Sequence, residues 1–152
     1  MNRRVFLNLL AGSAALTLAG APPAKAALPA ITAYRNPGCG CCEAWADAMR
    51  QSGFTLTMQD DEDLAARAEK LAIPQDLFGC HVAVVGDYIL SGHVPPEDVQ
   101  RMLAEKPAII GLAVPGMPVG SPGMEGSPVE PYKVIAFAAD GTQSVFATYN
   151  YI

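Results

Sequence analysis

Three of the four cysteines in this 152-residue chain fall within four positions, Cys39-Gly40-Cys41-Cys42, and the fourth, Cys80, directly precedes His81. Cys39 and Cys42 have the Cys-x-x-Cys spacing of a dithiol couple, and Cys41 is an extra thiol inserted into it. Thiolate is the form of cysteine that binds metal, and its soft sulfur selects Cu(I) or zinc over hard cations. The side chains of adjacent Cys41 and Cys42 diverge, which is awkward for one tetrahedral ion. It suits bridging sulfurs in a small polynuclear Cu(I)–thiolate cluster. His81 and His93 add candidate imidazole ligands, and Met117 and Met124 add candidate thioethers in a Gly/Pro loop.

Each residue also has a plainer role to set against its chemistry. An even number of cysteines in an oxidising compartment can form two structural disulfides, although neighbouring cysteines make a poor framework. His93 is equally read as a surface histidine, and Met117 and Met124 as residues that anchor their loop. Met49, Met58 and Met102 fit element patterns and read as core. Asp60 to Asp63 reads as a solvated helix start, and Trp45 as core or cleft wall.

The elements that must position these residues follow from periodicity and punctuation. Ile31 to Arg35 is a short β-prone run closed by Asn36-Pro37-Gly38. A helix fits Cys41 to Gln51, with Trp45, Ala48 and Met49 on one face and Ser52-Gly53 as its stop. Phe54 to Met58 alternates as a strand, and the Asp60–Asp63 acids cap a helix through Leu71. Val82 to Val85, Gly86-Asp87 and Tyr88 to Leu90 read as a hairpin with a two-residue turn. A third helix starts at Pro96 and runs to about Lys106. Tyr132 to Phe137, Asp140-Gly141 and Ser144 to Tyr149 read as a second hairpin.

Between Pro107 and Pro131 prolines and glycines alternate, yet Leu112, Val114, Met117, Val119 and Met124 are apolar. That composition predicts an ordered loop packed on the body and not a solvated linker. A parallel β-α-β unit, then an antiparallel hairpin and a helix, is the layout of a thioredoxin-like α/β domain: a mixed sheet flanked by helices, here with a Pro/Gly-rich loop and an extra hairpin. In that layout the first strand runs into the first helix at the Cys39–Cys42 motif, where the helix N-terminus favours thiolate. Cys80-His81 then falls in the loop facing the motif, where thioredoxins carry a cis-proline.

The first 26 residues read as an address. Arg3-Arg4 precedes Phe6-Leu7, a mildly apolar stretch runs from Leu9 to Ala21, and Pro22-Pro23 leads into Ala24-Lys25-Ala26. A charged start, a short apolar region and a small-x-small site make a cleaved signal, and the arginine pair points to twin-arginine (Tat) export. The mature domain is then 27–152. Cleavage removes three basic residues and no acid, leaving 7 basic against 15 acidic and a net charge of −8. Such a surface repels phosphates and argues against nucleic acid. No apolar run of membrane-spanning length lies outside the N-terminus. The expected compartment is the periplasm, where thiols face oxidation.

Four separated blocks carry a family resemblance. They are Asn36-Pro37-Gly38-Cys39-Gly40-Cys41-Cys42 with Trp45; Cys80-His81-Val82-Ala83-Val84-Val85-Gly86; Gly92-His93-Val94-Pro95; and Gly111 through Gly126. Together they resemble the periplasmic metal-binding proteins of bacterial copper-resistance clusters called CopG, which are unrelated to the plasmid repressor of that name. The resemblance spans essentially the whole mature chain. It implies a thioredoxin-like fold, Cu(I) binding by the cysteines, a redox role in copper handling, and copper ions and other periplasmic copper-handling proteins as partners.

The leading expectation is a periplasmic protein that binds Cu(I) and interconverts Cu(I) and Cu(II) through its dithiol couple. One alternative is a thiol–disulfide oxidoreductase without metal, with Cys39 as nucleophile and Cys42 resolving; the missing cis-proline argues against it. A zinc site is a second alternative, since cysteine and histidine sets bind zinc well. An iron–sulfur carrier is a third, but the spacing fits no common ferredoxin pattern.

Overall fold

The computed structural model describes residues 26–150, so the proposed signal lies outside the described residues but for its last position. The elements run β1 (Ile31–Arg35), α1 (Gly40–Gln51), β2 (Leu56–Asp60), α2 (Leu64–Lys70), β3 (His81–Val85), β4 (Tyr88–Ser91), α3 (Pro96–Glu105), β5 (Gly111–Ala113), β6 (Tyr132–Phe137) and β7 (Gln143–Tyr149). A 3₁₀ turn at Gln75–Leu77 precedes β3. The seven strands form one mixed sheet in the order β2-β1-β3-β4-β5-β6-β7. β1 pairs parallel with β2 and antiparallel with β3, and β3 pairs antiparallel with β4. This is the mixed, helix-flanked sheet expected from the order of elements.

Two differences from the sequence reading matter. Strand β2 begins at Leu56, two residues later than the expected start, because Gly53 and Phe54 complete the turn that ends α1. The other is β5, which lies inside the stretch read wholly as loop. Its three residues are too few to show a period. They pair parallel with β4 and antiparallel with β6, so the second hairpin joins the same sheet. Gly111 is required there, because any Cβ would run into the Ile89 backbone.

The core gathers on Trp45, Met49, Ile31, Val85, Leu90, Val99, Met102 and Leu112, all at most 1% exposed. Trp45 and Met49 project from one face of α1, and Val99 and Met102 from one face of α3, so the sheet is covered by the apolar stripes of its helices. Trp45 also donates its indole N–H to the Val94 carbonyl at 2.9 Å, tying α1 to the segment after β4. Among the described residues no helix is long and apolar enough to cross a membrane.

Candidate metal centre

The Cys39–Cys42 turn is built by short-range chemistry. Gly38 takes φ +77°, which glycine adopts without strain, and the Cys39 N–H closes the turn on Asn36 O at 3.3 Å. Cys39 is the N-cap of α1 but makes no side-chain capping bond, and its sulfur is instead joined to Cys42 in the first turn. Arg35 locks the turn to the sheet. It donates to the Cys39 carbonyl at 3.2 Å, to Glu43 at 2.9 Å and to Asp60 at 2.9 Å.

The opposing segment is held by close backbone approach. Ser91 Oγ donates to Leu77 O at 2.8 Å and accepts from Gly79 N at 2.9 Å. A Cβ on Gly79 would sit 2.6 Å from the Gly92 Cα, so only glycine lets the two chains pass. Cys80 and His81 therefore arrive beside His93, which follows Gly92.

The four sulfurs converge. Cys39, Cys41, Cys42 and Cys80 have their Sγ atoms all within 4.8 Å of one another. Cys39 and Cys42 form a disulfide, while Cys41 and Cys80 are free thiols. Cys80 Sγ lies 4.0 Å from Cys41 Sγ and 3.6 Å from Cys42 Sγ. The alternative of two structural disulfides is not what forms: one pair is bridged and two thiols stand beside it.

Cys80 also belongs to a second group. Its sulfur is 3.4 Å from His81 Nδ1 and 3.0 Å from His93 Nε2, and the three ligand atoms lie within 4.8 Å of one another. Both imidazoles are buried, 0% and 1% exposed, so His93 is no surface histidine. Burial holds His81 neutral, pushing its pKa down to about 3, with His93 beside it adding to the effect. Burial also lowers His93, opposed by the Pro122 carbonyl and Glu125. Burial first, then neighbouring Cys41, pushes the Cys80 thiol up to about 12. Neutral imidazoles are metal-ready. The Cys80 thiol holds its proton until a cation compensates the charge.

The Gly/Pro loop supplies backbone to this centre. Pro122 O accepts from His93 Nδ1 at 2.7 Å, and Gly123 lies so close to α1 that a Cβ would meet Trp45 N at 2.5 Å and Cys41 O at 2.8 Å. Neither Pro122 nor Gly123 is marked by reactive side chains. The only signal in the sequence is a Pro-Gly pair inside an unusually apolar loop. Met124 is half-buried in that loop, where its N–H bonds Ser121 O at 2.9 Å, and Met117 is 51% exposed.

Two solved structures, titled copper resistance protein copG in forms 1 and 2, are each 38% identical to this chain, with a TM-score of 0.77. The matches cover 81–82% of this chain and 99% of theirs. This chain belongs to the CopG copper-resistance family. A family model described as a protein of unknown function, DUF411, matches residues 77–124, which hold Cys80, both histidines and the Pro122–Gly123 contact. No curated protein matches the sequence. With the CopG family established, the cysteine cluster supports a copper-related role for the chain.

Proposed function

We propose that this CopG-family protein binds Cu(I) in the periplasm through Cys39, Cys41, Cys42 and Cys80, and that its dithiol couple interconverts Cu(I) and Cu(II). In this reading residues 1–26 are the Tat export signal and 27–152 the mature copper-binding domain. His81, His93, Met117 and Met124 are the further candidate ligands, and other periplasmic copper-handling proteins are its partners. The observation that carries the reading is the convergence of four sulfurs within 4.8 Å, two of them joined as a disulfide.

The redox step balances with copper as substrate. Two Cu(I) ions give one electron each to the Cys39–Cys42 disulfide; the S–S bond breaks, and two thiolates and two Cu(II) result. The reverse reduces two Cu(II) and re-forms the disulfide. Reduction frees two more sulfur donors, so the dithiol form is the one suited to a Cu(I) cluster. The disulfide form keeps Cys41, Cys80 and the imidazoles, a smaller and harder donor set.

The test is metal content and stoichiometry of reduced mature protein offered copper and zinc together. More than one copper per chain is expected, and one zinc per chain with no copper would overturn the reading. Cys41→Ser should lower the copper count while the Cys39–Cys42 disulfide still forms. Unchanged loading in that variant would remove Cys41 from the cluster.

A further inference from the structure

We propose that the two buried histidines on Cys80 have opposite roles: His93 presents a lone pair that takes the metal, while His81 donates an N–H to the Cys80 sulfur and only positions it. This rests on the reading that Cys80 is a metal-binding thiolate, and it deepens that reading by reducing the imidazole ligands from two to one.

A carbonyl oxygen only accepts, so the 2.7 Å contact between His93 Nδ1 and Pro122 O places a hydrogen on Nδ1. With the ring's hydrogen held on Nδ1 by that carbonyl, Nε2 presents its lone pair to Cys80 Sγ at 3.0 Å. Two lone pairs at that distance repel. A proton or a metal cation must therefore lie between His93 Nε2 and Cys80 Sγ. In the metal-free protein it is the single thiol proton of Cys80. A metal ion would replace that proton on the His93 lone pair, with Pro122 O orienting the ring from behind, as carbonyls do for metal-bound histidines.

Cys80 has no second proton to offer His81. His81 Nδ1 lies 3.4 Å from the same sulfur, so a stabilising contact there requires that Nδ1 carry the hydrogen and donate it. The far side of the ring agrees. His81 Nε2 is buried with no hydrogen-bond partner among the described residues. A buried N–H left without an acceptor costs about 1–3 kcal/mol, and orphaned N–H groups are rarer than under-used acceptors. The tautomer with the hydrogen on Nδ1 leaves only a lone pair orphaned, in a ring packed beside Trp45 with centroids 4.2 Å apart. A ring that holds its hydrogen toward the sulfur has no lone pair to give a metal there. When Cys80 becomes a thiolate, the same N–H stabilises the charge.

The assignment is tested first on reduced, metal-free mature protein. Histidine-selective ¹⁵N labelling with long-range ¹H–¹⁵N correlation separates the two neutral tautomers. Both rings are expected to carry hydrogen on Nδ1. Hydrogen on His81 Nε2 would overturn the proposal, because Nδ1 would then face the sulfur with a free lone pair. Because no metal is present, that result is independent of whether copper is the physiological cargo. Cu(I) is then added to the same sample. The His93 Nε2 resonance should move by tens of ppm while His81 keeps its Nδ1 hydrogen; a comparable shift at His81 would equally overturn the proposal. Failure of Cu(I) to bind at all would instead sink the functional reading and leave the tautomers standing. Among variants, His81→Asn keeps an N–H donor near the Nδ1 position and should hold Cu(I) affinity within about threefold. His81→Leu should lose about tenfold or more, in the range seen when groups supporting a metal ligand are removed. Equal losses in both would overturn the donor role.

Discussion

The cysteine turn and the Gly/Pro loop meet at the same centre but are built on different principles. Cys39 to Cys42 brings reactive side chains held by a local turn, a helix start and the Arg35 clamp. From the loop, the Glu125 carboxylate acts on His93 through its charge. The loop also contributes a carbonyl at Pro122 and an absence of bulk at Gly123. Ligand identity is therefore stored in side chains, while ligand orientation is stored in backbone path.

If that division holds, the largest effect comes from the one side chain common to both groups. Cys80 lies within 4.0 Å of Cys41 and Cys42 sulfurs and of both imidazoles. Cys80→Ser should lower copper affinity by more than about 100-fold, beyond the 10–100-fold typical of supporting residues. The Cys39–Cys42 disulfide should still form, because neither partner is touched. A competition titration against a Cu(I) chelator reads the first outcome and a thiol count the second. A variant that bound copper as the parent does would place the metal on the turn alone.

The next effect probes the buried histidines without metal. Their folded pKa values are depressed, that of His81 to about 3, against about 6.5 in an unfolded chain. A depressed histidine binds fewer protons folded than unfolded, so its contribution to stability is complete above about pH 6.5. It is lost as pH falls below that value toward the folded pKa. At pH 5 the loss from His81 alone is about 2 kcal/mol, taking 1.36 kcal/mol per pKa unit. Thermal melts of the metal-free protein should show a lower Tm at pH 5 than at pH 7, with the slope reduced in His81→Asn. A flat profile would mean that the centre opens to water before it titrates.

The asymmetry between turn and loop also explains what could be read in advance. The Cys-Gly-Cys-Cys run and Cys80-His81 are local strings of reactive residues, and the two-residue Gly86-Asp87 turn and the alternation around it fix which strand end Cys80 occupies. The sulfurs therefore converge as the order of elements requires. Strand β5 was not legible, because three residues, Gly-Leu-Ala, pair through backbone and carry no pattern. The Pro122–His93 bond was not legible either. It joins residues 29 apart through a carbonyl that every residue has. His93 was ambiguous for the same reason: its burial depends on Gly92 and Val114 backbone passing closely, which no spacing reports.

The smallest expected effect is the one most specific to the loop. Gly123 has φ +84°, and a Cβ there would meet the Trp45 and Cys41 backbone at 2.5–2.8 Å. Those partners are helix backbone and cannot swing aside, so Gly123→Ala must move the loop away from α1. Moving it lengthens the Pro122 O to His93 Nδ1 bond and releases the ring that faces Cys80. All four sulfurs stay where the turn and β3 hold them. Copper stoichiometry should therefore be unchanged, while Cu(I) affinity falls by about tenfold, the lower end of what loss of an orienting partner costs. The same variant should show His93 exchanging between its two tautomers, since nothing then selects Nδ1 for the hydrogen. A fall in copper count would make the loop part of the ligand set through Met117 or Met124. Full affinity with a mobile His93 would show that the turn holds the metal without help, and that the loop serves only to cover it.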